Sequence, residues 1–96
     1  MPDITRNTIV VASREQVASD LAGETVLLGL RTARYYGLAD VGARIWELLR
    51  DPITVSAISE TIAREYEVTP ERCEADVLRF LEDLAEQELI EVRGGP

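Results

Sequence analysis

The chain contains no histidine and no lysine. The first absence removes the commonest general base and the commonest imidazole metal ligand. It also leaves Ser13, Ser19, Ser56 and Ser59 without an imidazole to activate them, and the second absence excludes Ser–Lys chemistry. A single cysteine, Cys73, forbids an intramolecular disulfide and cannot build a zinc site alone. Glu71, Glu74 and Asp76 surround it in sequence. Such acidic neighbours disfavour the thiolate, so a structural thiol outweighs a nucleophile. No glycine-rich phosphate loop occurs. No apolar run approaches the roughly 20 residues that span a bilayer. The start, Met1-Pro2-Asp3-Ile4, lacks the basic-then-apolar order of a secretory signal. The expectation is a non-catalytic cytoplasmic protein with no cofactor, no metal and no membrane.

Positive charge is scarce in the second half only. Residues 1–50 hold six Arg and six Asp or Glu, whereas residues 51–96 hold four Arg and twelve acids, which accounts for the whole net charge of −8. That field repels nucleic acid and anionic membrane and attracts a cationic partner. The plainer account is an acidic surface that keeps the protein soluble. With 96 residues, 46% hydrophobic and 29% charged, the chain suits one ordinary domain spanning 1–96.

The periodicity changes once along the chain. Thr8–Ala12 is rich in β-branched residues and reads as a short strand or extended arm, after a loose start. Residues 16–21, 24–30 and 34–38 read as three strands. The Ala22-Gly23 and Arg31–Ala33 connections between them are too short for parallel crossovers, so the strands form an antiparallel meander. Helical spacing then begins. Asp40 is placed to cap a helix over about 41–50, with Val41, Ile45, Leu48 and Leu49 on one stripe and Trp46 beside it. Asp51-Pro52 stops it. Thr54 caps a second helix that shares one face among Val55, Ile58, Ile62 and Tyr66. Thr69-Pro70-Glu71 starts a third, running to about Gln87, with a hydroxyl cap, proline at the first position and an acid at the positive end. Val77, Leu81, Leu84 and Glu88 lie close on its wheel. Leu89–Val92 alternates like a terminal strand, and Gly94-Gly95-Pro96 frays. The fold class is therefore α+β: an N-terminal three-stranded antiparallel meander followed by a three-helix winged helix-turn-helix bundle.

A winged helix suggests DNA binding, whose recognition helix should be basic. The third helix carries Arg72 and Arg79 against Glu71, Glu74, Asp76, Glu82, Asp83 and Glu86. The sign is wrong, and DNA binding stands only as a poor alternative.

An ordered set of segments resembles the PqqD-like family across about residues 16–92. It comprises Gly23–Leu28, Arg34–Leu38 and Val41–Leu49, then Ile58, Glu65–Val68, Glu74–Val77, Leu81 and Leu89–Val92. One departure is Glu88, where the family often has glycine. The resemblance implies a recognition element for the leader of a ribosomally made, post-translationally modified peptide. The leader would add as a strand to the third strand and lie against the third helix. A free-standing chain with an Arg-Tyr-aromatic strand is most similar to the leader-binding partner of lasso-peptide biosynthesis. That protein hands the precursor to a separate transglutaminase-like leader peptidase, after which a cyclase acts. Leaders of such systems carry a Tyr-x-x-Pro element. The runner-up within the family is a chaperone for a radical-SAM enzyme of pyrroloquinoline quinone type.

The residues support that mode independently. The third strand of a meander has one unpaired edge, a template for another chain, including a second copy in an edge-strand homodimer. The candidate peptide-binding residues on it are Ala33, Arg34, Tyr35, Tyr36, Gly37 and Leu38, with Tyr36 and Leu38 expected to face inward. On the third helix the candidates are Cys73, Asp76, Val77, Phe80, Asp83 and Leu84. Phe80 lies off the stripe's centre, so it reads equally as a groove residue and as core.

Overall fold

The computed structural model describes residues 3–94. It is an α+β fold built from three helices and two three-stranded antiparallel sheets. The first sheet is the expected meander: β2 (Gln16–Leu21), β3 (Glu24–Gly29) and β4 (Tyr35–Leu38), in that spatial order. Ala22 and Gly23, at φ 51° and 86°, close the first hairpin as a two-residue turn whose twist suits the flanking strands. The third strand is shorter than its pattern suggests. Ala33, at φ 56°, and Arg34 belong to the turn, where Gly29 N donates to Arg34 O and Ala33 N to Gly29 O.

The second sheet was not expected from the sequence. It joins β1 (Ile9–Ala12) to β5 (Ile53–Thr54) on one side and to β6 (Ile90–Gly94) on the other. The chain start is less loose than its polarity suggests. Thr8 N donates to Thr5 O, and Ile4 is buried in the core. The fraying expected of Gly94-Gly95-Pro96 does not hold at Gly94, which ends β6, and the other two residues lie outside the described ones.

The helices are α1 (Val41–Leu48), α2 (Val55–Tyr66) and α3 (Pro70–Glu86). Thr54 caps α2 as expected, its hydroxyl accepting from Ala57 N at 3.2 Å. Two other expected caps fail. Asp40 sits at φ 52° and its carboxylate makes no cap bond, and Thr69 makes no side-chain cap bond either. A residue at positive φ cannot hold the extended conformation that aims a capping side chain at the helix amides. The end of α3 closes on itself. Glu88 N donates to Ala85 O and Leu89 N to Leu84 O, with Glu88 at φ 61°. That is a Schellman ending, which places Glu88 outside the helix and off its apolar stripe. A residue at positive φ is strained unless it is glycine, so Glu88 holds this ending at a cost.

Val10, Leu27, Leu49, Val55, Ile58, Leu81 and Leu89 are fully buried where the helices meet the sheets. Each such side chain contributes about 1.5–3 kcal/mol by leaving water. The meander buries one face only. Its outer face carries Val17, Leu21 and Tyr35, all exposed. Among the described residues no helix is long and apolar enough to cross a membrane.

Candidate functional site

Among the described residues strand β4 pairs with β3 alone, which leaves its other edge free. The register decides which of its backbone groups face outward. Gly29 N bonds Arg34 O, which makes that pair hydrogen-bonded, and β3 pairs Leu27 with Tyr36 and Thr25 with Leu38. Antiparallel ladders alternate. Tyr36 and Leu38 therefore direct N–H and C=O into the sheet, while Tyr35 and Gly37 direct theirs to the free edge. The side chains alternate on the other axis. Tyr36 and Leu38 are half-buried against the core, as expected, and Tyr35 is 74% exposed.

Beside this edge lies a cleft of about 450 Å³. Gly37 and Leu38 form its strand side, and Cys73, Asp76, Val77 and Phe80 its α3 side. Val41, Gly42 and Ile45 of α1, with Ile62, Tyr66 and Val68 at the end of α2, complete the walls. Gly42 of α1 faces the Phe80 ring, and a Cβ added there would stand 3.5 Å from Phe80 Cζ, an ordinary van der Waals contact. Apart from Asp76 and the Tyr66 hydroxyl the lining side chains are apolar, a composition that suits apolar side chains presented on a strand.

Of the twelve candidate residues, the structure brings six together around the cleft: Gly37, Leu38, Cys73, Asp76, Val77 and Phe80. Tyr35 lies on the edge strand with its ring on the outer face, and Tyr36 lies on the inner face. Ala33 and Arg34 are exposed in the preceding turn. Leu84 is buried in the core. Asp83 shares a helix flank with Asp76 on the wheel, yet it lines a separate hollow with Asp3, Ile4 and Val92. The cleft reaches only the first turns of α3, because β6 and the chain start cover the later ones. Tyr66, which helical spacing places on one face with Val55, Ile58 and Ile62, is 41% exposed and lines the cleft. Sequence reasoning also missed Gly42. A glycine inside a helical pattern costs about 1 kcal/mol against alanine, and that cost was the local sign that marked the position.

Two electrostatic features frame the cleft. Arg44 Nε and Nη2 donate to the two oxygens of Glu65, each at 2.9 Å, and so fasten α1 to α2. The hydrogen bond to Arg44 holds the Glu65 carboxyl below its ordinary range. On the floor, burial and then the nearby Asp76 push the Cys73 thiol up, and its Sγ–H points to Ser59 O at 3.4 Å. This is an inert packing thiol.

The fold and site together define a small binding domain with an open sheet edge above an apolar cleft. Residues 24–90 match the family described as coenzyme PQQ synthesis protein D, and the chain belongs to that PqqD family. It is similar to the solved structure of TbiB1 in complex with the TbiA(beta) leader peptide, with 38% identity and a TM-score of 0.80, covering 88% of this chain and 98% of that one. It is also similar in fold to a lasso peptide synthetase B1 complexed with its leader peptide, at 24% identity and TM-score 0.76 over 85% of this chain and 96% of that one. A third fold relative is the PqqD truncation of Methylobacterium extorquens PqqCD, a stand-alone recognition element, at 24% identity and TM-score 0.75 over 92% and 94%. No curated protein sequence matches the chain at a significant level.

Proposed function

We propose that this protein is a non-catalytic recognition element that binds the leader of a ribosomally made precursor peptide in lasso-peptide biosynthesis. The observation that carries the reading is the free edge of β4 directly above the apolar cleft, in a chain 38% identical to a protein solved with a leader bound. The leader adds as a strand to β4 and bonds the outward groups of Tyr35 and Gly37. Its inward side chains enter the cleft against Phe80, Val77 and Tyr66. Backbone pairing supplies affinity that reads little sequence, and the cleft supplies the choice. The bound precursor is then presented, in the cytosol, to a separate transglutaminase-like leader peptidase and afterwards to a cyclase. In the free state the same edge can pair with a second copy, so leader and self-association compete. Presentation to a radical-SAM enzyme uses the same site and differs only in the receiving enzyme. DNA binding finds no support in the acidic α3.

Amide hydrogen exchange with and without a leader peptide tests the mode. The Tyr35 and Gly37 amides should gain protection when leader is added. Protection elsewhere with none on β4 rules out strand addition there. Phe80→Ala should weaken binding by about 1–3 kcal/mol, as buried interface aromatics do. An unchanged affinity in a folded variant removes Phe80 from the site.

A further inference from the structure

The cleft between β4 and α3 is fastened at one end and open at the other. At the fastened end the Tyr36 hydroxyl donates to Gln87 Oε1 at 2.6 Å, linking the strand to the C-cap of α3. Among the described residues this is the one side-chain hydrogen bond between β4 and the end of that helix. Thr32 Oγ1 lies 3.4 Å from the Tyr36 oxygen and extends the chain of bonds back to the hairpin turn. Gly29 makes room for it, since a Cβ there would stand 2.7 Å from Thr32 Oγ1. Arg31 and Glu88 add an ion pair at 3.3 Å, but both side chains are largely exposed, so it adds little. The cavity opens at the far end of the strand, beside Gly37 and Leu38. Elsewhere the backbones of β4 and α3 approach each other at few points.

We infer that Tyr36 and Gln87 form a latch that sets the spacing of β4 and α3, which makes Tyr36 a positioning residue for leader binding and not a contact residue. This rests on the reading of the cleft as the leader site. With the latch made, the edge and the cleft are held in the arrangement that receives a strand. With it broken, β4 samples other spacings and only a fraction of molecules is competent. A reduced competent fraction lowers the apparent affinity by that fraction. The loss falls on association, because the bound state, once formed, is the same.

The test uses the full chain with Tyr36→Phe, Gln87→Leu and both together, and the TbiA(beta) leader peptide as probe. Each single variant should bind about three- to tenfold more weakly, the span of one net hydrogen bond. The double variant should be no weaker than the singles, since the two groups make one interaction. The fall should lie in the association rate, with dissociation unchanged. In the free protein, methyl relaxation dispersion at Leu38, Val41 and Val77 should be flat in wild type and show microsecond-to-millisecond exchange in both singles. Unchanged affinity, additive losses or a loss confined to dissociation each overturn the latch. If wild type fails to bind the probe, the leader reading fails for that peptide. Methyl dispersion then decides the latch alone, and flat profiles in Tyr36→Phe overturn it.

Discussion

Gly37 concentrates the functional argument in one residue. Its amide points to the free edge, it pairs across the sheet with Val26 without exchanging bonds, and a Cβ added to it meets nothing within 4 Å. Proline removes that donor but breaks no bond of the sheet, and edge strands tolerate it. Gly37→Pro should therefore leave the circular dichroism and melting temperature near wild type while weakening leader binding about tenfold, the upper span of one lost hydrogen bond. Gly37→Ala keeps the donor and should bind normally. Equal losses in the two variants would show that the side-chain face is what matters there. The inward placement of Tyr36 and Leu38 was legible because strand alternation has a period of two. The caps at Asp40 and Thr69 were not. Residue type only names a candidate cap: Asp40 fails because it lies at positive φ, whereas Thr69 has the extended backbone of a cap and its hydroxyl still makes no cap bond.

The elements were legible where one periodic segment determines its own form. The three helices and the meander show this, because their pairing partners are near in sequence. The second sheet was not, because β5 is two residues long and β1 meets partners some forty and eighty residues away, at Thr54 and Ile90. Nor could a helical wheel say how far the cleft runs along α3, which is why Asp83 was grouped with Asp76. The join between α1 and α2 was equally hidden, since Arg44 and Glu65 lie 21 residues apart. That join has a pH signature. Glu65 titrates below its ordinary value in the folded state, so its stabilisation is complete above the ordinary carboxylate range and is lost as pH falls through the lowered value. Wild type should melt above Glu65→Gln at neutral pH, and the gap should close in strong acid. A gap that stays constant from neutral pH down to about pH 2, well below the ordinary glutamate value, would mean that the carboxylate's charge contributes nothing to the join.

At the scale of the molecule the question is what the net charge of −8 does. Asp76 is the one ionisable carboxylate lining the cleft, and Asp83 lies seven residues on, about 10 Å along α3 by helix rise, in a different hollow. Steering of a basic leader and mere solubility predict different salt dependences for these two acids. At about 20 mM salt the Debye length is roughly 20 Å, so both charges reach the approaching peptide, and Asp76→Asn and Asp83→Asn should each slow association. At about 150 mM it is roughly 8 Å, shorter than the distance between them, so only Asp76→Asn should remain slow. At about 500 mM it falls to roughly 4 Å and both variants should associate like wild type. Dissociation should change little throughout, because an exposed pair contributes only about 0.2–1 kcal/mol. Stopped-flow measurements with a leader peptide and with the same peptide carrying two added lysines supply the check, and the lysines should enlarge the effect of Asp76. If Asp76→Asn associates at the wild-type rate at all three salt concentrations, the acidic half of the chain serves solubility and the cleft selects by shape alone.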